Sequence, residues 1–226
     1  MEHGADSRPR TIADGQDRDM DTACSAANRS PAASRTPVAV TIAVIVATVG
    51  QLTLATVATG LPQFQGKAFG SRLVAYPLLM TTPILVWWLI ARRHPGARPL
   101  PWAAFAFLAA PFLVDVTGNT LDLYDTIGWW DDLNHFGNWL LLCYGLGLML
   151  KRSRLAPRWA LGALVTGVGA ILAICWELAE WYTFIRHGTE LGTAYTDTLG
   201  DEALGTLGAA VAGGFHLATS RPQVHR

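Results

Sequence analysis

Charge is scarce along this chain: 15% of the residues are charged and 51% hydrophobic, and the 17 basic and 17 acidic side chains cancel to a formal net charge of zero. A balanced total predicts no polyanionic partner, so no nucleic acid is expected to bind. Cysteine is equally sparse. Cys24 falls in a polar stretch, and Cys143 and Cys175 fall in apolar ones where they read as small hydrophobes, so neither a disulfide framework nor a CxxC pair is indicated. A Gly-rich phosphate loop and a serine-nucleophile motif are also missing. The first residues do not lead from a basic region into a short apolar core, so they do not read as a cleavable signal peptide.

What the chain has instead is apolar blocks. Crossing about 30 Å of hydrocarbon takes roughly 20 helical residues, and six stretches qualify: about 38–59, 73–91, 101–118, 133–150, 159–184 and 200–219. Lipid offers the backbone no hydrogen-bond partner, so spans of this kind form helices. The expected fold is all-α: a polytopic membrane helical bundle of about six transmembrane helices over residues 37–220. Residues 1–36, polar and without a periodic apolar pattern, read as a disordered cytoplasmic tail. Residues 221–226 read as a cytoplasmic carboxyl-terminal tail.

The basic residues orient this arrangement. With the amino terminus in the cytoplasm, 14 of the 17 collect on the inner side, and only Lys67, Arg72 and Arg186 lie outside. Trp87, Trp88, Trp102 and Trp159 then mark the inner interface, and Trp129, Trp130, Trp176 and Trp181 the outer one. The expected location is the plasma (inner) membrane with both termini cytoplasmic, and the lipid bilayer is the expected partner.

The acids divide the other way. Six of the 17 belong to the polar tail, and the other 11 all fall on the outer side or in the outer halves of spans. Asp122, Asp125 and Glu190 read as surface charges. Glu177 and Glu180 do not, because Trp176-Glu177-Leu178-Ala179-Glu180-Trp181 closes an apolar run that begins at Trp159. Asp131-Asp132-Leu133-Asn134-His135 opens the fourth span, with His135 four residues from Asp131 and three from Asp132, so that either pair can share a helix face. Asp197 and Asp201 stand four apart at the entrance of the sixth span, and Asp115 follows Pro111 in the third.

An ionised group at membrane depth costs on the order of 3 kcal/mol or more, so such groups pair, face a cavity or bind something. With almost no Arg or Lys outside, protons or a metal cation are the expected neutralisers. Asp132, His135, Glu177, Glu180, Asp197 and Asp201 are the candidate metal ligands, with Asp115 and Asp131 as further members of the polar cluster. Mixed carboxylate and imidazole donors suit Zn, Mn or Fe better than Ca or Mg. Glu177 and Glu180 are the candidate catalytic bases in a reaction on a lipid or cell-envelope substrate. Two other readings stay open: a proton- or cation-coupled transporter, and a scaffold whose acids share protons and hold helices together. A lipid phosphatase is disfavoured because phosphate is normally held by Arg or Lys. His216 reads as an interface residue, and His94 and His187 as loop residues. The glycines of the fifth and sixth spans read as close-packing positions. Oligomeric state has no signature in the sequence.

Tyr124-Asp125, Asp131-Asp132-x-x-His135-Phe136, Trp176-Glu177-x-x-Glu180-Trp181 and Asp197-x-x-x-Asp201 followed by Gly205-Thr206-Leu207-Gly208-Ala209 together resemble the YjdF-like family of bacterial inner-membrane proteins, and more distantly the VanZ-like family. The resemblance covers roughly residues 70–218. It implies a polytopic membrane protein with a shared polar centre and supplies no reaction.

Overall fold

The computed structural model describes residues 31–58, 60–93, 99–152, 158–186 and 189–219. Expectations for residues 1–30, the tail 221–226, His94 and His187 lie outside the described residues. Within the compact unit Pro37–Arg226 the described residues are helical and contain no strand. In chain order the helices are α1 (Pro31–Val57), α2 (Phe69–Arg93), α3 (Trp102–Thr120), the short α4 (Leu123–Thr126), α5 (Trp130–Arg152), α6 (Arg158–Glu180) and α7 (Ala194–Thr219). A π turn, Trp181–Ile185, extends α6.

Among the described residues four helices are long and apolar enough to cross a membrane: Arg35–Val57, Phe69–Arg93, Trp102–Thr120 and Trp159–Thr183. Prolines do not stop them. Pro37, Pro77, Pro83 and Pro111 all lie inside helices, and Thr81 Oγ1 donates to the Pro77 carbonyl at 2.6 Å, the bond a helical threonine makes to the carbonyl four residues back. The expected count of six is thus met only in part. α5 and α7 have the length, 23 and 26 residues, but are less apolar. α5 carries Asp131, Asp132, Asn134, His135 and Asn138, while α7 carries Asp197, Asp201 and Glu202 and many glycines.

Packing gives the reason these two helices can be polar. α5 lies against α3, α6 and α7, and α7 packs closely on both α5 and α6, so neighbouring helices cover side chains that lipid would otherwise meet. Close approach depends on small residues. The buried side of α7 is Asp201, Gly205, Gly208, Ala209, Ala212, Gly213 and His216. A Cβ at Gly208 would collide with the Phe136 carbonyl of α5, and one at Gly213 would lie 2.7 Å from the Gly162 carbonyl of α6. The close-packing reading of these glycines therefore has a geometric basis.

Two apolar clusters flank the seam. One joins Leu52 and Ala55 of α1 to Tyr76 and Met80 of α2 and to Ala109 and Val116 of α3. The other joins Trp139 and Cys143 of α5 to Leu161, Val165 and Ala173 of α6 and to Ala209 and Ala212 of α7. Gln51, the one strongly polar side chain of the first span, links α1 to α3. Its amide donates to Thr117 Oγ1 at 3.1 Å and accepts from Thr120 Oγ1 at 2.9 Å.

His216 departs from expectation. Rather than sitting at an interface it is fully buried, with Nε2 2.9 Å from the Tyr144 carbonyl and its ring stacked on that of Tyr144 at 4.8 Å. Gly147 leaves the room, since any Cβ there would strike the imidazole.

Candidate functional site

The N-terminal end of α5 is set by an indole packed on a glycine. Trp130 lies over Gly118 of α3, where a Cβ would collide with its Nε1, and meets Tyr124 edge-on with ring centroids 6.5 Å apart. The helix then begins with Asp131 and Asp132 in its first turn, where negative charge favours the helix dipole. Asn134 donates to the Trp130 carbonyl at 2.8 Å and Asn138 to Asn134 Oδ1 at 3.0 Å. One turn in, this polar edge reaches His135.

His135 is only 9% exposed and stands where three helices meet. Its Nε2 faces Asp131 Oδ1 of its own helix at 3.6 Å and Asp201 Oδ1 of α7 at 3.5 Å. Its Nδ1 faces Glu177 Oε1 of α6 at 3.7 Å. Glu177 and Asp201 are themselves buried, whereas the Asp131 side chain is 46% exposed and forms the open side. Two triplets, Asp131 with His135 and Asp201, and His135 with Glu177 and Glu180, each bring their donor atoms within 4.8 Å of one another.

These spacings have chemical content. Direct N–H···O hydrogen bonds close to about 2.7–3.2 Å, and the His135 contacts are all longer. Donors bound at about 2.0–2.1 Å around a tetrahedral zinc lie about 3.3 Å from one another, close to the separations seen here. The imidazole offers a cation only one nitrogen at a time. Nε2 with Asp131 and Asp201 forms one donor set, and the ring with Glu177, which faces Nδ1, and Glu180 forms the other.

Of the residues singled out from sequence, Asp131, His135, Glu177, Glu180 and Asp201 come together. Asp132 and Asp197 are exposed and belong to neither triplet. Asp115 belongs to a different network. Its Oδ2 accepts from Arg72 Nη1 at 2.6 Å and from the Tyr76 hydroxyl at 2.5 Å, and its Oδ1 accepts from Asn119 Nδ2 at 3.1 Å and the Tyr124 hydroxyl at 3.0 Å.

The expectation that acids at this end have little basic company therefore needs correction. Arg72 takes Asp115, and Lys67 Nζ bridges Asp122 Oδ1 at 2.7 Å and Asp125 Oδ2 at 2.6 Å. Partial burial works against the Lys67 charge, but hydrogen bonds and charge from Asp122 and Asp125 outweigh it and leave its pKa raised. The Lys67 hydrogen bond, helped by one from Asp125, holds Asp122 below the usual carboxylate range. Asp122 adopts a left-handed conformation, φ 61°, which Asp tolerates better than most residues, and so turns the chain from α3 into α4.

Sequence reasoning assigns Arg72 only to the outer side, quotes Tyr124 only within a family motif and does not name Tyr76; their partners lie 43, 9 and 39 residues away. It also passed over the π turn after Glu180, closed by Arg186 N–H to the Trp181 carbonyl at 3.0 Å. Such turns often accompany functional sites. The Arg186 guanidinium lies over the Tyr182 ring, 3.6 Å from its centroid.

No curated protein and no solved structure matches this chain. A family match covers residues 39–221, and its description speaks to the membrane-protein part of the resemblance drawn from sequence while carrying neither the YjdF-like nor the VanZ-like name. On that match the chain belongs to the family described as predicted membrane protein (DUF2238).

Proposed function

We propose that this is a membrane protein in which the cluster around His135 binds one divalent cation, Zn, Mn or Fe, and promotes hydrolysis of a lipid or cell-envelope substrate. The observation that carries the reading is that both nitrogens of a buried imidazole face carboxylates supplied by three different helices. Asp131, Asp201 and His135 Nε2 are the ligands in this reading. Glu177, whose Oε1 stands 3.7 Å from Nδ1, would close on the Nδ1 hydrogen in the cation-bound protein and fix the ring, the usual orienting role of a carboxylate behind a ligating histidine. A cation of this class supplies Lewis acidity and makes water a stronger acid. Glu180, half-buried and in the same group as His135 and Glu177, is the base in this reading.

The other two readings have less support. Side chains that serve only to tie helices together close to hydrogen-bond distance, as those around Asp115 do at 2.5–3.1 Å; the His135 group does not. A transport path along the α5–α7 seam meets closure at Gly205 against Trp139 and at Gly208 against the Phe136 backbone. The cation reading is tested by purifying the protein in detergent without chelator and measuring metal by plasma mass spectrometry. About one divalent ion per chain is expected, and a metal-free protein sinks the proposal.

The same reading takes all six long helices as spans, with both termini in the cytoplasm of a cell bounded by an inner membrane, and keeps the YjdF-like and VanZ-like likeness. Supporting it are the lengths of α5 and α7 and the division of basic residues, 14 to 3, between the two sides. A phosphatase reporter fused after Arg154 is expected to be inactive and one fused after Glu190 active. The reverse pattern overturns the topology.

A further inference from the structure

Resting on the cation site proposed above, we infer that its substrate is a glycerophospholipid attacked at an acyl ester carbonyl and not at phosphorus. Two independent observations point there: the depth of the site and the way positive charge is spent around it.

Depth comes first. His135 lies five residues into α5 from Trp130 and Asp201 seven residues into α7 from Ala194, which at 1.5 Å per residue is about 8 and 10 Å below the helix ends. The headgroup layer on each face of a bilayer is about 5–8 Å thick outside a 30 Å core. For helices ending at the outer surface, the site falls just inside the hydrocarbon edge, the level at which ester carbonyls join acyl chains to glycerol. Phosphates lie farther out.

Charge agrees. A phosphoryl group in reaction is held by Arg, Lys or additional metal ions, and two of the basic residues at this end of the bundle are already paired: Arg72 with Asp115, and Lys67 with Asp122 and Asp125. Carboxylates line the site on three helices and repel a dianion, while a neutral carbonyl meets no such barrier. Arg186 lies six residues beyond Glu180, past the π turn, and its guanidinium is held over the Tyr182 ring, 3.6 Å from the centroid. The open side of the site is Asp131, at the surface end, so a lipid enters from the interface.

The reaction is hydrolysis without redox change. Water adds its hydroxyl to the carbonyl carbon, the bond from that carbon to the glycerol oxygen breaks, and the proton held by Glu180 passes to the departing oxygen. The products are a fatty acid and a lysolipid.

The test uses the full-length, zinc-loaded protein in mixed micelles of detergent and dioleoyl phosphatidylethanolamine, with products read by mass spectrometry. Oleate and lysolipid are expected from the ester lipid, neither from its dialkyl ether analogue, and no inorganic phosphate from phosphatidic acid. Glu180→Gln is expected to keep its metal and lose about 100-fold or more in rate, a readout that separates chemistry from folding. Release of phosphate, or no oleate from protein shown to hold its cation, overturns the ester inference and leaves the cation site standing. Protein that binds no cation overturns both.

Discussion

His135→Ala is expected to strip the protein of its cation, whereas Glu177→Gln should retain it with affinity reduced about 10- to 100-fold. The difference follows from the two ring nitrogens. Nε2 stands with Asp131 and Asp201, so removing the ring removes a ligand at the centre of the set. Nδ1 stands 3.7 Å from Glu177, so in the cation-bound protein a glutamine there could accept the Nδ1 hydrogen through its carbonyl but not as an anion. Asp131→Asn and Asp201→Asn should each weaken binding more than Glu177→Gln, because each removes an anionic ligand. Asp132→Ala and Asp197→Ala should leave affinity within about threefold, since exposed charges outside the set act only through screened electrostatics. Competition titration against a zinc chelator, with circular dichroism to verify helix content, gives all six affinities on one scale. If Asp132→Ala and Asp131→Asn change places, the ligand assignment is wrong. If all six variants bind as the wild type does, His135 is not part of a metal centre.

Much of this centre could be read from the sequence because membrane helices make polar residues conspicuous. Asp131, His135, Glu177, Glu180 and Asp201 stand out against apolar surroundings, and a position near the same end of three packed helices is enough to bring them together. Sequence spacing could not decide between Asp131 and Asp132 as the partner of His135. Positions three and four apart both share a face, and the outcome depended on how α5 is rotated against α7, where Gly208 lets the Phe136 backbone approach. For the same reason Asp197 and Asp201 could not be told apart, although only Asp201 is on the buried side of α7. From sequence Arg72 reads only as one of three basic residues on the outer side, because its contact to Asp115 crosses 43 residues of chain and nothing in local spacing encodes it. Hydropathy is lower along α5 and α7 than along the four candidate spans, and these two helices pack closely on each other and on their neighbours.

Asp115→Ala is expected to destabilise the protein by about 3–5 kcal/mol, the range for removing one partner of a buried ion pair, while leaving its cation content unchanged. Arg72 and Asp115 are each about 15% exposed in their side chains, so the guanidinium left behind loses its counter-charge where little water can replace it. The loss extends beyond the pair, because Tyr76, Asn119 and Tyr124 also donate to Asp115. Tyr124→Phe removes one hydrogen bond to a charged acceptor and should cost about 1.5–3 kcal/mol or less. The double variant Arg72→Ala/Asp115→Ala should be more stable than the sum of its single changes predicts, because the second substitution removes the orphaned charge. Thermal or denaturant unfolding in detergent measures each value, and metal analysis on the same samples supplies the second readout. A small stability effect with loss of the cation would move Asp115 into the metal centre and dismantle the division between the two networks. A large stability effect with the cation retained would establish that this end of the bundle contains one polar network closed on itself, around Asp115, and another left open, around His135.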